Sequence, residues 1–238
     1  IFGIGGCMAL LLVGFGLRDS IMDIVNKQYA EVWTYDAYLS INDEAVSLEE
    51  KMQADDIKNY MFIHTKTMDM GSEENVVSST LFVPERLEDL EDFVVLQDRV
   101  SGEKYRLTEE NTIITEKLAK LLDVSVGDTI ELNFDDVTRY QVTVDAIAEN
   151  YMFHYVYLSA EKYEQLCNEA PEYNQLYLKT VEMTEEEKEV FSGRMLSDDG
   201  VDSITYVEEL RESVSVMMKS LELVIVVLIV AAGMLAFI

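Results

Sequence analysis

The sequence is poor in the residues that staple, kink or loosen a chain. Among 238 residues there are only two Cys, two Pro, one Trp and two His. Cys7 lies in an apolar stretch at one end and Cys167 in polar sequence, so the two are not expected to pair and no disulfide framework is expected. The prolines are Pro84 and Pro171, and away from the ends the glycines are Gly71, Gly102, Gly127, Gly193 and Gly200. With no low-complexity linker and no internal repeat, the middle of the chain should be compact and ordered. Positive charge is also scarce: 18 Lys and Arg stand against 46 Asp and Glu, a net charge of −28. That balance argues against nucleic acid as a partner and against adhesion to anionic headgroups. It is compatible with a cationic ligand or a divalent ion, although a solvated acidic surface is the simpler reading.

Chemistry-bearing patterns are missing too. There is no G-x-x-x-x-G-K-[ST] phosphate loop, so any ATPase must reside on another chain or in another part of this one. His64 and His154 have no second His or Cys at metal-ligand spacing. The acidic pairs Asp55-Asp56, Asp135-Asp136 and Asp198-Asp199 do not fit a calcium loop, and loop-tip or capping carboxylates explain them. No Ser, Cys or Lys stands in a nucleophile motif. The expectation is a non-enzyme with no catalytic, cofactor-binding or metal-binding residue, which disfavours a membrane-anchored hydrolase.

What the sequence does have is an uncharged apolar stretch at each end. Leu221 to Ile238 carries no charge after Glu222, and at about 1.5 Å per residue it spans roughly 27 Å, close to a bilayer's hydrocarbon thickness. Ile1 to Leu17 mirrors it, and Arg18 ends it. Neither Met nor a basic n-region precedes the first stretch, so it reads as a membrane helix rather than a signal peptide. The expectation is part of a longer multi-pass membrane protein, with a water-soluble domain hung between two transmembrane helices. The competing reading makes each stretch a buried core helix. The small-residue pairs Gly5/Ala9 and Ala232/Ala236 suggest close helix approach in the membrane.

Both membrane stretches continue as amphipathic helices. Gly14, Leu17, Ile21, Ile24 and Gln28 fall at heptad-like spacing, as do Val207, Leu210, Val214, Met217, Leu221 and Val224. One helix leaves the membrane and the other returns, so the two run antiparallel and are expected to form a stalk at the membrane surface, packed on each other or on neighbouring helices. The seam assigned to coupling is Leu17, Ile21, Ile24, Val207, Leu210, Val214, Met217 and Leu221. An amphipathic helix lying on its own domain is the alternative.

Between them the periodicity alternates between strand and helix. Strands are expected at Trp33–Ile41, Asn59–Met68, Asn75–Val83, Phe93–Gln97, Asn111–Thr115, Thr129–Phe134, Arg139–Ala148, Tyr155–Leu158, Tyr173–Val181 and Val201–Val207. Helices are expected from Ser47 to about Asp55, over Glu85–Glu91 and Glu116–Leu122, from Ser159 to about Asn168, and from Thr184 to about Leu196. A βαβ unit thus opens the soluble part and another closes it. The expected fold is α+β: a split βαβ mixed sheet with an inserted small β-rich subdomain at 111–158, flanked by two transmembrane and stalk helices. The expected boundaries are 1–29, 30–206 and 207–238. The alternating run Tyr151, Phe153, Tyr155, Tyr157 reads as a half-buried strand face, with Tyr151 and Phe153 as candidate partner contacts if exposed.

Several segments together resemble the FtsX-like and MacB-like ABC transporter permeases. They are L-R-D-S-I-M-D-I-V-N-K-Q-Y (Leu17–Tyr29) with Tyr35-Asp36, I-I-T-E-K-L-A-K-L-L-D-V-S-V-G-D-T-I-E-L (Ile113–Leu132), A-E-N-Y-M-F-H-Y-V-Y-L-S (Ala148–Ser159), and the helix Val207–Ile238. The resemblance covers nearly the whole chain and rests on the order of the pieces. It implies a domain between the first and second of four membrane helices, with residues 30–206 extracytoplasmic. It also implies a cytoplasmic ABC ATPase as partner, a second permease unit (homo- or pseudo-dimer), contact with the lipid bilayer, and no cofactor. The role implied is export or mechanotransmission, in which ATP hydrolysis moves the outer domain through the stalk. The alternative is a ligand-sensing ectodomain of a membrane receptor.

Overall fold

Alternation along the strands sorts the apolar side chains onto two faces of one mixed sheet. The computed structural model describes residues 19–45, 48–72, 75–134 and 138–217, with isolated positions 6, 13, 16, 226, 227, 230 and 234. Helix α1 (19–27) runs into a π turn at Gln28–Val32. There follow β1 (Ala37–Ile41), α2 (Leu48–Lys51), β2 (Ile57–Ser72), β3 (Asn75–Pro84), β4 (Ile113–Thr115), α3 (Glu116–Leu122), β5 (Thr129–Asn133), β6 (Arg139–Thr143), β7 (Ala146–Ala148) and β8 (Tyr155–Tyr157). The chain continues through α4 (Ala160–Cys167), β9 (Gln175–Thr180), α5 (Glu185–Leu196), β10 (Val201–Tyr206) and α6 (207–217).

The strand order is β10-β1-β9-β2-β3-β8-β4-β7, and the β5-β6 hairpin joins β2 through Asp69 and Asn133. Strands β1 and β2 are both antiparallel to β9, which lies between them, and β9 and β10 are both antiparallel to β1. Each strand pair of one βαβ unit is therefore split by a strand of the other, as the sequence pattern requires. Residues inserted between β3 and β9 extend the same sheet, because β8 pairs in parallel with β3.

One face of the sheet carries two aliphatic cores under helices. Ala37, Leu39, Ile41, Leu176 and Leu178 pack with Leu48 of α2 and Phe191 and Met195 of α5. Met68, Met70, Leu81, Val83, Ile114 and Val156 pack with Leu118 of α3 and Tyr163 of α4. The intervening residues of the same strands, Met61, Ile63, Phe82, Ile113, Tyr157 and Tyr177, point the other way into a third core rich in aromatics. The helices start where side chains can satisfy their free amides. Ser159 Oγ accepts from the Lys162 amide at 2.9 Å, and Thr184 and Glu187 form a reciprocal capping box on α5. Asp123 and Asn168 close α3 and α4 in the left-handed region, at φ 55° and 57°.

Four expectations change. Trp33–Asp36 is not strand; Trp33 makes only an isolated bridge to Val94. Glu85–Glu91 forms no helix beyond a 3₁₀ turn at Leu90–Asp92, because Glu85, Glu88, Asp89, Glu91 and Asp92 set like charges three and four residues apart. Phe93–Gln97 is not a sheet strand but part of a strap laid over the aromatic core: its Val95 amide donates to the Val32 carbonyl, and Gln97 bridges Lys104. Arg139–Ala148 breaks in two, because the Asp145 carboxylate accepts from the Thr112 amide at 2.7 Å and turns β7 onto β4.

Among the described residues no helix is long and apolar enough to cross a membrane. The expected transmembrane stretches lie outside the described residues apart from the isolated positions, so the flanking transmembrane helices are not part of the described fold. Leu17, Leu221, Gly14, the Gly5/Ala9 and Ala232/Ala236 pairs, Ser47 and Asp135-Asp136 also lie outside them.

Candidate functional site

The chain enters and leaves the sheet at one place. Ala37, the first residue of β1, is the register partner of Tyr206, the last of β10, and the Val207 amide donates to the Asp36 carbonyl at 2.9 Å. Helices α1 and α6 therefore root side by side. Val25, Tyr29 and Val32 from one root and Val207 from the other are buried in the same aromatic core, with Leu210 and Val214 packed against it.

Trp33 is the centre of this junction. Its ring lies 5.5 Å from Tyr29, 6.0 Å from Tyr35, 6.1 Å from Tyr155 and 6.3 Å from Phe153, the last stacked at 9°. Tyr35 stands 4.2 Å from Tyr177, which meets Phe82 at 5.8 Å. Rings at these separations and tilts attract one another beyond the area they bury. Burial pushes the phenols of Tyr35, Tyr155, Tyr157 and Tyr177 well above their ordinary range. Burial disfavours the charged form of each phenol, so the cluster packs as neutral rings.

The loop 149–154 closes the junction. Gln28 is fully buried (0% exposed), and its side-chain oxygen accepts from the amides of Tyr151 at 2.8 Å and Met152 at 3.1 Å. Its Nε2 has no partner among the described residues. Gln97 Nε2 donates to Glu149 at 3.0 Å, and Asn150 donates to the Met152 carbonyl. Lys27 Nζ lies 5.9 Å from the Tyr151 ring centroid. Phe153 sits at φ 63°, a left-handed conformation costly for a bulky residue, and remains 62% exposed although it stacks on Trp33.

The predicted seam residues fall unevenly. Val207 is buried, Ile21, Leu210 and Val214 are half-buried, and Met217 is 65% exposed. Ile24 is 37% exposed, whereas its neighbour Val25 is 4% exposed and joins the aromatic core. The side chains turned to the core are half-buried Ile21 and buried Val25, Gln28 and Val32, at spacings of four, three and four, and Ile21 and Gln28 also belong to the predicted heptad. Tyr151 and Phe153 do not share a strand with Tyr155 and Tyr157; they lie in the loop before β8. The structure thus brings the predicted stalk and the predicted aromatic contact together. Sequence reading missed Trp33, Val25 and the Gln28 acceptor. A lone Gln on an apolar seam, one turn before the only Trp, was the available signal.

Other candidates resolve into fold contacts. His64 Nδ1 donates to the Glu172 carbonyl at 2.6 Å, and burial lowers its pKa. Asp56 holds Arg194 at 2.6 Å, and Asp198 holds Lys51 at 3.0 Å. Burial pushes the Cys167 thiol up, away from nucleophilic character. Among the described residues no group of His, Cys, Asp and Glu could hold a metal ion.

No protein-family model matches the sequence, and no curated protein matches it. Among solved structures, the chain is similar to the extracellular domain of the noncanonic ABC-type transporter YknZ from Gram-positive bacteria, at 14% identity and a TM-score of 0.44, over 72% of this chain and 98% of that one. It is also similar to the periplasmic region of MacB from Actinobacillus actinomycetemcomitans, at 10% identity and a TM-score of 0.47, over 80% of this chain and 97% of that one.

Proposed function

We propose that the chain is the outer domain and flanking helices of an ABC-type permease, which transmits the work of a cytoplasmic ATPase to an extracytoplasmic domain. The observation that carries this reading is the shared root of α1 and α6 on one aromatic core. Two helices planted side by side in a rigid sheet turn any relative displacement at their far ends into movement of the whole domain. The split βαβ order supports the reading by bringing the first and last strands together. The exposed apolar helical positions Val13, Val226, Val227, Val230 and Met234 support contact with lipid at those far ends. The order of the segments that resemble FtsX-like and MacB-like permeases supports it independently. In this reading residues 30–206 face outward, residues 1–29 and 207–238 form stalk and membrane helices, and a second permease unit completes the complex.

The full-length protein purified from its native membrane should bring down, or contain, a stoichiometric nucleotide-binding ATPase. In that complex, nucleotide should change hydrogen exchange over 33–38 and 149–155. Leu210→Asp or Val214→Asp should abolish the change while the protein still inserts. A co-purifying kinase in place of an ATPase would transfer the argument to a sensor ectodomain.

A further inference from the structure

The π turn at the α1 root has a structural consequence of its own. The Trp33 amide donates to the Gln28 carbonyl, five residues back, at 2.8 Å. In an α-helix it would donate to the Tyr29 carbonyl, four residues back. Exchanging these acceptors turns everything before Tyr29 by roughly 100° and slides it by about 1.5 Å relative to β1. The exchange would carry Tyr29 to where Gln28 now stands, and the polar Asn26 to where Val25 is buried. The Gln28 oxygen would then leave the Tyr151 and Met152 amides. The observed register is thus held by Val25 and by the Gln28 acceptor, yet it leaves Gln28 Nε2 without a partner among the described residues. A π segment holds one extra residue in a helix, and here it adjoins a half-satisfied buried amide.

We propose that the Gln28–Val32 turn is a register switch, and that Gln28 is the positioning residue linking the register of α1 to the position of the 149–154 loop. This rests on the stalk reading above and names the element through which displacement of the first helix reaches the exposed face carrying Phe153. Work applied along α1 drives the turn from its π to its α register. The loop is then released from Gln28, and Phe153, stacked on Trp33 at the end of the turn, moves with it.

The test uses the full-length protein in lipid nanodiscs with its ATPase, read by residue-resolved hydrogen exchange. Gln28→Met keeps the side-chain length and removes the acceptor; exchange of the Tyr151 and Met152 amides should quicken by about tenfold or more. Gln28→Glu retains an acceptor and should keep their protection. Deleting the exposed Ala30 removes the extra residue of the turn while leaving Val25 and Gln28 in their places. The Trp33 amide should then exchange about tenfold more slowly, the melting temperature should stay near that of the parent, and the nucleotide response at 151–152 should vanish. Unchanged exchange at Tyr151 and Met152 in Gln28→Met overturns the latch. Unchanged exchange at Trp33, or a full nucleotide response, in the deletion overturns the switch. If the unmodified complex shows no nucleotide response at all, the permease reading fails, and the latch and switch are then judged by the nucleotide-free exchange rates alone.

Discussion

The two faces of the sheet are built to different ends. The helix-covered face is aliphatic, divided into two cores, and capped by side chains that satisfy the free amides of α4 and α5. The opposite face is aromatic, continuous across the sheet, and covered by a strap and two helix roots rather than by packed helices. It holds the π turn, the left-handed Phe153, and Gln28 Nε2 and Asn150 Oδ1, which have no hydrogen-bond partner among the described residues. Regular packing with satisfied ends makes a rigid body; irregular backbone beside half-satisfied amides marks where a structure can be shifted at low cost. In the proposed reading the aromatic side, beside the two helix roots, is where displacement would enter the domain.

Alkali separates the faces most strongly. The folded state holds the protons of Tyr35, Tyr157 and Tyr177 that the unfolded chain releases near pH 10. Stability is therefore lost as pH rises above about 10, with three such groups contributing roughly 4 kcal/mol per pH unit. Tyrosinate absorbance should appear in two steps, the second coinciding with loss of tertiary circular dichroism. A single step near pH 10 with the fold intact would refute the buried aromatic face. Phe191→Ala, in the aliphatic core under α5, should cost about 3–5 kcal/mol in denaturant unfolding and leave exchange at 149–154 unaltered below the transition.

Smaller changes sharpen the contrast. Thr184→Ala removes the capping box of α5 and should cost about 1 kcal/mol, seen as faster exchange of the first-turn amides of that helix alone. Phe153→Gly should change stability by less than about 0.5 kcal/mol, because relief of the left-handed backbone offsets the lost stack on Trp33. The same substitution should still shift Trp33 fluorescence. A loss of several kcal/mol would make Phe153 a core residue rather than an exposed contact held in a strained pose.

The face built from regular periodicity was the legible one. Glu116–Leu122 matches its expected span, Ser159 and Thr184 cap the helices they were expected to cap, and the two βαβ units interleave as predicted. These features depend on short-range patterns and hydrogen bonds between near neighbours. The aromatic face was less legible because its structure is non-local. Phe93–Gln97 has the composition of a strand, but its partners are Val32, Trp33 and Lys104 rather than a ladder. The helix-covered face has one such case too: Arg139–Ala148, whose Val142 and Val144 join the aliphatic core, reads as one strand until Asp145 captures the amide of Thr112. Ile24 fits the heptad as well as Val25 does; the phase is fixed by where the sheet lies, which local spacing does not encode. Tyr151 and Phe153 were singled out for their aromatic alternation, and their contacts with Gln28 and Trp33 come from far away in the chain, 123 residues in the case of Tyr151 and Gln28.

The most direct test of the central claim is a distance between the two helix roots. Ala30 and Arg211 are both exposed, one at each root. Spin labels placed there in a cysteine-free full-length protein, reconstituted with its ATPase, report their separation by double electron–electron resonance. The distance distribution should shift between the nucleotide-free and ATP-bound complexes, and Val214→Asp should abolish the shift. Identical distributions in both states, from a complex that hydrolyses ATP, would contradict that claim.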